Sequence, residues 1–147
     1  YEICACLVGS EMCIRDRVVT LEIDDEKEDF IREHIAASPF ADRIRLVIGD
    51  ATELLPAMPA ASFDMLFLDS DKRDYPALYP ECKRLLRPGG LLLADNTLWD
   101  GHITDPAYDR DRQTTALRRF NAIVSADADV DSVILPLRDG LTLIRLR

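Results

Sequence analysis

Short apolar runs alternate with longer amphipathic stretches along the chain from Val18 onward. The apolar runs have the length of strands, and the stretches between them repeat apolar residues at helical spacing. We predict strands at 18–23, 44–48, 63–68, 91–94, 132–137 and 141–146, and helices at 26–37, 75–86 and 114–125. Such alternation is typical of β-α units, so the pattern predicts an α/β fold with a mostly parallel sheet.

Turn-forming residues separate the predicted elements. Pro39 ends the first helix, and the Arg-Pro-Gly-Gly sequence at 87–90 predicts a turn before the fourth strand. Asp139 and Gly140 lie between the last two strands, and an Asp-Gly pair is typical of an antiparallel hairpin. We therefore expect the parallel sheet to end in an antiparallel hairpin.

Length and composition indicate one soluble globular domain. The 147 residues are 48% hydrophobic and 31% charged, which excludes disordered, collagen-like and disulfide-rich chains. Asp and Glu outnumber Lys and Arg by 27 to 18, and the net charge of -9 disfavours nucleic acid and anionic membranes as partners. The longest uncharged apolar stretch, 3–10, is too short to span a bilayer. We expect a cytoplasmic protein.

The cysteines crowd the start of the chain. Cys4, Cys6 and Cys13 precede a long stretch that contains one further cysteine. A zinc site would need additional Cys or His partners, but His34 and His102 are isolated in the sequence. The cysteine pattern therefore indicates neither a zinc site nor a disulfide framework.

The start of the chain also has an unusual sequence. Residues 7–17 resemble one reading frame of a transposase adapter that is used to prepare sequencing libraries. The chain begins at Tyr1 instead of Met, as expected for a fragment translated from assembled DNA. We therefore expect residues 1–17 to be non-native and 18–147 to be part of a native catalytic domain.

Polar residues follow the predicted strands, where an open α/β sheet binds its ligands. They are Glu22, Asp50, Asp69, Asp95 and Asn96. Neighbouring strands lie about 4.8 Å apart, so Asp69 and Asp95 would be close together and would repel each other without a positive partner. Together with Asn96 they form an all-oxygen donor set, which suits Mg, Mn or Ca. The alternative is that both aspartates only cap helices or form turns.

Six motifs narrow the class of protein. They are VVTLEID at 18–24, GDA at 49–51, FLDSDKRDY at 67–75, LRPGG at 86–90, ADNTLWDG at 94–101 and DGLTL at 139–143. A parallel sheet that ends in a hairpin resembles the methyltransferases that use S-adenosylmethionine. The motifs resemble the cation-dependent O-methyltransferases, which include catechol and caffeoyl-CoA O-methyltransferases and their bacterial relatives. The resemblance covers essentially all of 18–147 and implies a Rossmann-like methyltransferase fold.

The resemblance implies a cation site and a charged group beside the acceptor. It makes Asp69, Asp95 and Asn96 the ligands of a divalent cation, expected to be Mg, Mn or Ca. It places Lys72 beside the acceptor hydroxyl, as a general base or as a positive charge that favours the phenolate. Lys72 and Asp69 are therefore the expected catalytic residues.

The resemblance also implies a site for S-adenosylmethionine. Glu22 would hold the ribose hydroxyls, Asp50 and Ala51 would flank the adenine, and Asp71 would lie near the cofactor together with Asp69. The family's first strand lies between the strands that end at Glu22 and Asp69, and its Gly-rich loop follows that strand. We expect both to be missing or replaced here.

Trp99 and Asp100 would lie at the acceptor pocket. The implied acceptor is a small aromatic molecule with two neighbouring hydroxyls, although relatives with caffeoyl-CoA activity tend to carry Asn at the position of Asp100. Tyr75 belongs either to this pocket or to the packing around it. The full-length protein is expected to form a homodimer.

Two other functions are compatible with the sequence. Some bacterial relatives with the same motifs methylate the wobble uridine of tRNA, which a basic surface would favour and the net charge of -9 disfavours. A non-catalytic binding or oligomerisation module is compatible with the expected loss of the Gly-rich loop. Binding of S-adenosylmethionine would distinguish an enzyme from such a module.

Overall fold

The structure is a computed structural model that describes residues 6–9 and 17–147, the first of these ranges by its backbone only. Its strands are β1 Cys6–Gly9, β2 Arg17–Glu22, β3 Ile44–Ile48, β4 Phe63–Leu68, β5 Leu86–Asp95, β6 Val130–Leu135 and β7 Leu141–Leu146. Its α-helices are α1 Glu28–Ala36, α2 Ala51–Leu54, α3 Tyr75–Leu85 and α4 Arg112–Ala126. Short 3-10 turns lie at Asp25–Lys27, Ala41–Arg43, Leu55–Ala57, Trp99–Thr104 and Pro106–Tyr108.

The described strands form one seven-stranded sheet in the order β3-β2-β1-β4-β5-β7-β6. The pairs β2–β3 and β4–β5 are parallel, whereas β7 is antiparallel to both β5 and β6. Because β1 is antiparallel to β2 and to β4, the strands β2, β3, β4, β5 and β6 all run in one direction. The predicted α/β sheet with a C-terminal antiparallel hairpin is confirmed.

The short strand β1 lies where the sequence predicts a missing or replaced first strand. Its residue Val8 pairs with Val18 of β2 and with Met65 of β4. Only residues 10–16 link β1 to β2, and a parallel crossover needs about a dozen residues or more. The link length therefore requires the antiparallel direction of β1. Residues 1–5 and 10–16 of the expected non-native segment, which include Cys4 and Cys13, lie outside the described residues, whereas Arg17 begins β2.

The fifth strand begins five residues earlier than predicted. Phe63 of β4 pairs with Leu86, but Met65 already pairs with Leu91, so the register shifts between these pairs. The predicted turn at 87–90 is therefore a bulge within β5 and does not precede the strand. The strand β6 is also displaced, since it begins two residues before the predicted start of that strand.

The helix α3 anchors the core beside the sheet. Its buried residues occupy one helix face and are each at most 2% exposed. They are Tyr75, Leu78, Tyr79, Cys82 and Leu85. The rings of Tyr75 and Tyr79 meet Phe120 of α4 edge-on, with centroid distances of 5.3 and 5.8 Å. These contacts fix the start of α3, which follows the carboxyl end of β4.

The turn between β6 and β7 packs against the loop that follows β5. The backbone N–H of Thr97 donates to Gly140 O at 3.1 Å, and those of Leu98 and Trp99 donate to Asp139 O at 2.7 and 3.0 Å. Gly140 has a φ of +95°, and a Cβ there would lie 2.5 Å from Leu98 Cγ. Only glycine fits this approach without displacing the loop.

We predict that Gly140→Ala lowers the free energy of unfolding by about 2–4 kcal/mol, because it adds both backbone strain and a clash with Leu98. Gly89→Ala is the matched control, since Gly89 also has a positive φ but a Cβ there would meet nothing within 4 Å. We expect the control to lose only about 1 kcal/mol in urea denaturation. Equal losses in the two variants would contradict the proposed contact.

A partly buried ion pair joins α3 to the segment before β6. Lys83 Nζ donates to Asp127 Oδ1 and Oδ2 at 2.8 and 2.7 Å, and to Asp129 Oδ2 at 2.8 Å. The hydroxyl of Tyr79 also donates to Asp127 Oδ2, at 2.8 Å. The hydrogen bonds from Lys83 are the largest cause that lowers the pKa of Asp127 below its ordinary value of 3.8.

A lowered pKa in the folded state means that Asp127 stabilises the fold above about pH 4 and loses this effect as the pH falls through its folded pKa. We predict that Asp127→Asn lowers Tm at pH 7 and has a much smaller effect at pH 2.5. Asp42→Asn, at an exposed position, should leave Tm unchanged at both pH values. A Tm loss for Asp127→Asn that is equal at both pH values would contradict this assignment.

Candidate functional site

The predicted ligand residues converge at one edge of the sheet. Glu22 ends β2, Asp69 directly follows β4, and Asp95 ends β5. Because these three strands run in the same direction, their carboxyl ends lie at the same edge. The strand directions therefore bring the three acidic residues to the edge at which α/β proteins bind ligands.

A cavity of about 270 Å³ lies beside Asp69 and is called the Asp69 cavity here. Its lining residues are Asp69, Ser70, Lys72, Asp95, Asn96, Trp99 and Gln113. The structure thus brings together all the predicted cation ligands with Lys72 and Trp99. Asp100 is exposed and is not among the lining residues. Ser70 and Gln113 were not predicted, and Gln113 reaches the cavity only because α4 packs there.

Lys72 is held between two partners in this cavity. Its Nζ donates to Asp69 Oδ1 at 2.7 Å and to the hydroxyl of Tyr75 at 3.0 Å, and the residue is only 6% exposed. These two bonds use two of the three ammonium donors and leave one for a ligand. Lys72 is therefore fixed in the cavity wall and still able to donate a hydrogen bond.

Tyr75 joins the ends of the two central strands. Its hydroxyl lies 2.9 Å from Leu68 O and 3.0 Å from Asp95 O, and the residue is fully buried. Burial is the main cause that raises the pKa of Tyr75, and the charges of Asp69 and Asp95 raise it further. The hydroxyl therefore stays protonated and can donate to the strand-end carbonyls. Tyr75 belongs to the packing behind the cavity and is not a lining residue of it.

Asn96 is held through both its backbone and its side chain. Its backbone N–H donates to Asp95 Oδ1 at 2.8 Å, and its Nδ2 donates to Asp139 Oδ2 at 2.7 Å. Its φ of +58° lies in the left-handed region, which Asn adopts more readily than most residues. Asp139 was not predicted as a site residue, although it begins one of the six motifs that carry the family resemblance.

The donor set of the Asp69 cavity fits a hard divalent cation. Asp69, Asp95 and Asn96 offer only oxygen ligands, and Mg²⁺ is commonly held by one or two carboxylates with several waters. Within 6–9 and 17–147 there is no group of three or more His, Cys, Asp or Glu side chains that could hold a metal ion. The protein would therefore contribute two carboxylates and one amide, and other ligands would complete the coordination.

A second cavity, of about 310 Å³, lies beside Asp50 and is called the Asp50 cavity here. Its lining residues are Ile23, Asp50, Ala51, Thr52, Ser70, Asp71, Arg73, Asp74 and Leu78. It contains three of the predicted cofactor residues, namely Asp50, Ala51 and Asp71. Ser70 lines both this cavity and the Asp69 cavity, so the two cavities adjoin.

Asp50 and Asp71 also have local structural partners. Asp50 caps α2, where its Oδ1 accepts from the backbone N–H of Thr52 at 2.8 Å and from the Thr52 hydroxyl at 2.7 Å. Asp71 pairs with Arg73, whose hydrogen bonds are the largest cause that lowers the pKa of Asp71. Asp71 is therefore ionised and held in the cavity wall.

Glu22 lies just outside the Asp50 cavity. It is 6% exposed, and its Oε1 accepts from the backbone N–H of Asp24 at 3.0 Å. Its neighbour Ile23 lines the cavity, whereas Glu22 does not. The structure thus places Glu22 beside the predicted cofactor residues without a lining position.

An open groove of about 430 Å³ adjoins the Asp50 cavity and is called the arginine groove here. Four of its lining residues are arginines, Arg73, Arg110, Arg112 and Arg119, all of them exposed. Arg73 also lines the Asp50 cavity. The sequence does not reveal this groove, because its arginines are spread over two loops and the helix α4.

None of the helices within the described residues combines the length and the apolar character needed to cross a membrane.

The chain is similar in sequence to proteins named for catechol O-methyltransferase. It is 33% identical over 124 residues to the catechol O-methyltransferase of Niastella koreensis, which covers 82% of this chain and 56% of that protein. It is 37% identical over 131 residues to the mouse catechol O-methyltransferase domain-containing protein 1, which covers 86% of this chain and 50% of that protein. The chain thus spans about half the length of these relatives.

Solved structures of O-methyltransferases share the fold. The O-methyltransferase TomG of Streptomyces achromogenes, in complex with S-adenosylmethionine, has a TM-score of 0.80 and 29% identity over 88% of this chain and 61% of that chain. The O-methyltransferase of Bacillus cereus, in complex with S-adenosylhomocysteine, has a TM-score of 0.79 and 27% identity over 89% of this chain and 63% of that chain.

The family assignment combines these similarities with the arrangement of the site. The O-methyltransferase family model matches residues 7–147, nearly the whole chain. Four of the six motifs, those at 18–24, 49–51, 67–75 and 94–101, contribute lining residues to the two adjoining cavities, at the carboxyl edge of a sheet shared with solved O-methyltransferases. The chain belongs to the O-methyltransferase family.

Proposed function

We propose that this protein is an S-adenosylmethionine-dependent O-methyltransferase that requires a divalent cation and acts on a catechol-like acceptor with two neighbouring hydroxyls. The observation that carries the proposal is the pair of cavities that meet at Ser70. One cavity contains the expected cofactor residues, and the other combines oxygen ligands with a buried lysine. A methyl donor and an acceptor bound in adjoining cavities can react directly.

The Asp50 cavity is the proposed site of the methyl donor. Asp50 and Ala51 would flank the adenine, Asp71 would lie nearby, and Glu22 would reach the ribose after turning from the Asp24 backbone. The complexes of TomG with S-adenosylmethionine and of the Bacillus cereus enzyme with S-adenosylhomocysteine support this choice of cofactor.

The Asp69 cavity is the proposed site of the acceptor. Asp69, Asp95 and Asn96 would hold the cation, which when bound would lower the pKa of an acceptor hydroxyl and orient it. Lys72 has one ammonium donor left for the acceptor oxygen, where its charge stabilises the phenolate. Trp99 lines this cavity, where its ring would pack against the acceptor ring.

The reaction is a direct displacement at the methyl carbon. The acceptor oxygen forms a bond to this carbon while the bond from carbon to the sulfonium sulfur breaks, and S-adenosylhomocysteine leaves as a neutral thioether. The hydroxyl proton passes to solvent before or during this step. No covalent enzyme intermediate is needed, so the protein acts through positioning and charge.

Variants of Asp95 and Lys72 should separate cation binding from charge stabilisation. We predict that Asp95→Ala abolishes Mn²⁺ binding and nearly all methyl transfer to catechol. Lys72→Met should retain Mn²⁺ binding and lower kcat by about 10²–10³-fold, because only the charge beside the acceptor oxygen is lost. Lys27→Met, at a partly exposed ion pair, is the matched control.

Calorimetry for Mn²⁺ and a radiolabelled methyl-transfer assay measure the two properties. Unchanged methyl transfer in excess chelator would contradict the cation requirement. Loss of Mn²⁺ binding in Lys72→Met would contradict the separate role of Lys72.

A variant of Asp50 tests the donor site. We predict that Asp50→Ser keeps the cap of α2, since Ser is also a good N-cap, but weakens S-adenosylmethionine binding by about tenfold through loss of a hydrogen bond. Asp105→Ser is the matched control, because Asp105 caps a 3-10 turn and does not line the Asp50 cavity. Calorimetric titration compares both variants with the wild type, and equal affinity in all three would exclude Asp50 from the donor site.

A second candidate function is methylation of the wobble uridine of tRNA. The arginine groove favours it, because exposed guanidinium groups beside the cavities could contact phosphates. The net charge of -9 disfavours tRNA as a substrate. Transfer of a labelled methyl group to tRNA but not to catechol would select this function over the first.

A further inference from the structure

We propose that Asp139 is a positioning residue for the cation site, because it fixes the orientation of the Asn96 side-chain amide. This inference rests on the proposed cation-dependent function and adds a residue to it. Asp139 Oδ2 accepts a hydrogen bond from Asn96 Nδ2 at 2.7 Å. The two residues are 43 positions apart in the chain, so the contact is made by the fold and not by local sequence.

The chemistry of the two side chains selects one orientation. An amide has a donor end and an acceptor end, whereas an ionised carboxylate can only accept. Asn96 must therefore turn Nδ2 toward Asp139, which leaves Oδ1 as the atom available to a cation. With the amide flipped, Asn96 would present an NH₂ group to the cation and its oxygen to a carboxylate. Both of these contacts are repulsive.

The position of Asp139 is itself fixed by the fold. Its carbonyl accepts from the backbone N–H groups of Leu98 and Trp99 at 2.7 and 3.0 Å. The adjoining Gly140 approaches Leu98 so closely that no side chain fits between them. The β6–β7 turn is thus docked on the same loop that carries Asn96, and the carboxylate has little freedom to leave the amide.

Variants of Asp139 should change the affinity for Mn²⁺, which is measured in the 147-residue chain. Trp99 is the only tryptophan and lines the same cavity, so quenching of its fluorescence by bound Mn²⁺ reports on the site. We expect Asp139→Ala to weaken Mn²⁺ binding by about 10–100-fold, as is typical when an outer partner of a metal ligand is lost. Asp139→Asn should stay close to the wild type, since its amide oxygen can still accept from Asn96.

A double-mutant cycle with Asn96→Asp distinguishes the effect of Asp139 on the orientation of the Asn96 amide from any other effect of Asp139. A carboxylate at position 96 presents an oxygen whichever way it turns, so Asp139→Ala should then cost no Mn²⁺ affinity. A general structural or charge effect of Asp139 would lower affinity by the same factor in both backgrounds, and that result would overturn the proposal. A loss in Asp139→Asn as large as in Asp139→Ala would also overturn it.

Two controls complete the experiment. Asp131→Ala removes a carboxylate that pairs with Arg147 on the same hairpin, and it should leave Mn²⁺ affinity unchanged. Thermal unfolding checks each variant, and Asp139→Leu replaces Asp139→Ala if the latter does not fold. Absence of Mn²⁺ binding by the wild type would overturn the cation-dependent function together with this inference. Wild-type binding with unchanged affinity in Asp139→Ala would overturn this inference alone.

Discussion

The parallel pairing of β4 with β5 is the constraint on which the candidate site depends. Leu68 and Ala94 are register partners, so the residues that follow them, Asp69 and Asp95, lie side by side at the edge of the sheet. The Tyr75 hydroxyl, within 3.0 Å of the carbonyls of Leu68 and Asp95, ties the two strand ends together. Since the same hydroxyl accepts from Lys72, one buried group sets the positions of two acidic residues and an ammonium.

The residues at the strand ends could be predicted from the sequence because their placement follows from strand direction alone. Asp69 and Asp95 need only two parallel neighbouring strands, and the motif around them adds Lys72. Gln113 and Asp139 could not be predicted in this way. They reach the site through the docking of α4 and of the β6–β7 turn, and tertiary contacts of this kind leave no local pattern in the sequence.

The differences between predicted and observed strands have similar causes. The Arg-Pro-Gly-Gly sequence at 87–90 has the composition of a turn, but pairing on both sides of it makes it a bulge within β5. The direction of β1 depends on the length of the link to β2, which carries no signal in the hydrophobic pattern. In both places a constraint from neighbouring strands outweighs the local preference of the residues.

The balance of charge at the Asp69 cavity supports a cation there. The described lining residues include two carboxylates, Asp69 and Asp95, and one ammonium, that of Lys72, and Asp139 adds a third carboxylate that accepts from Asn96. The charges of Asp69, Asp95 and Asp139 all raise the pKa of Tyr75, so their field extends into the protein behind the cavity. Uncompensated negative charge in a partly buried site is unfavourable. The three carboxylates exceed the lysine by two negative charges, which is the charge that one divalent cation would balance.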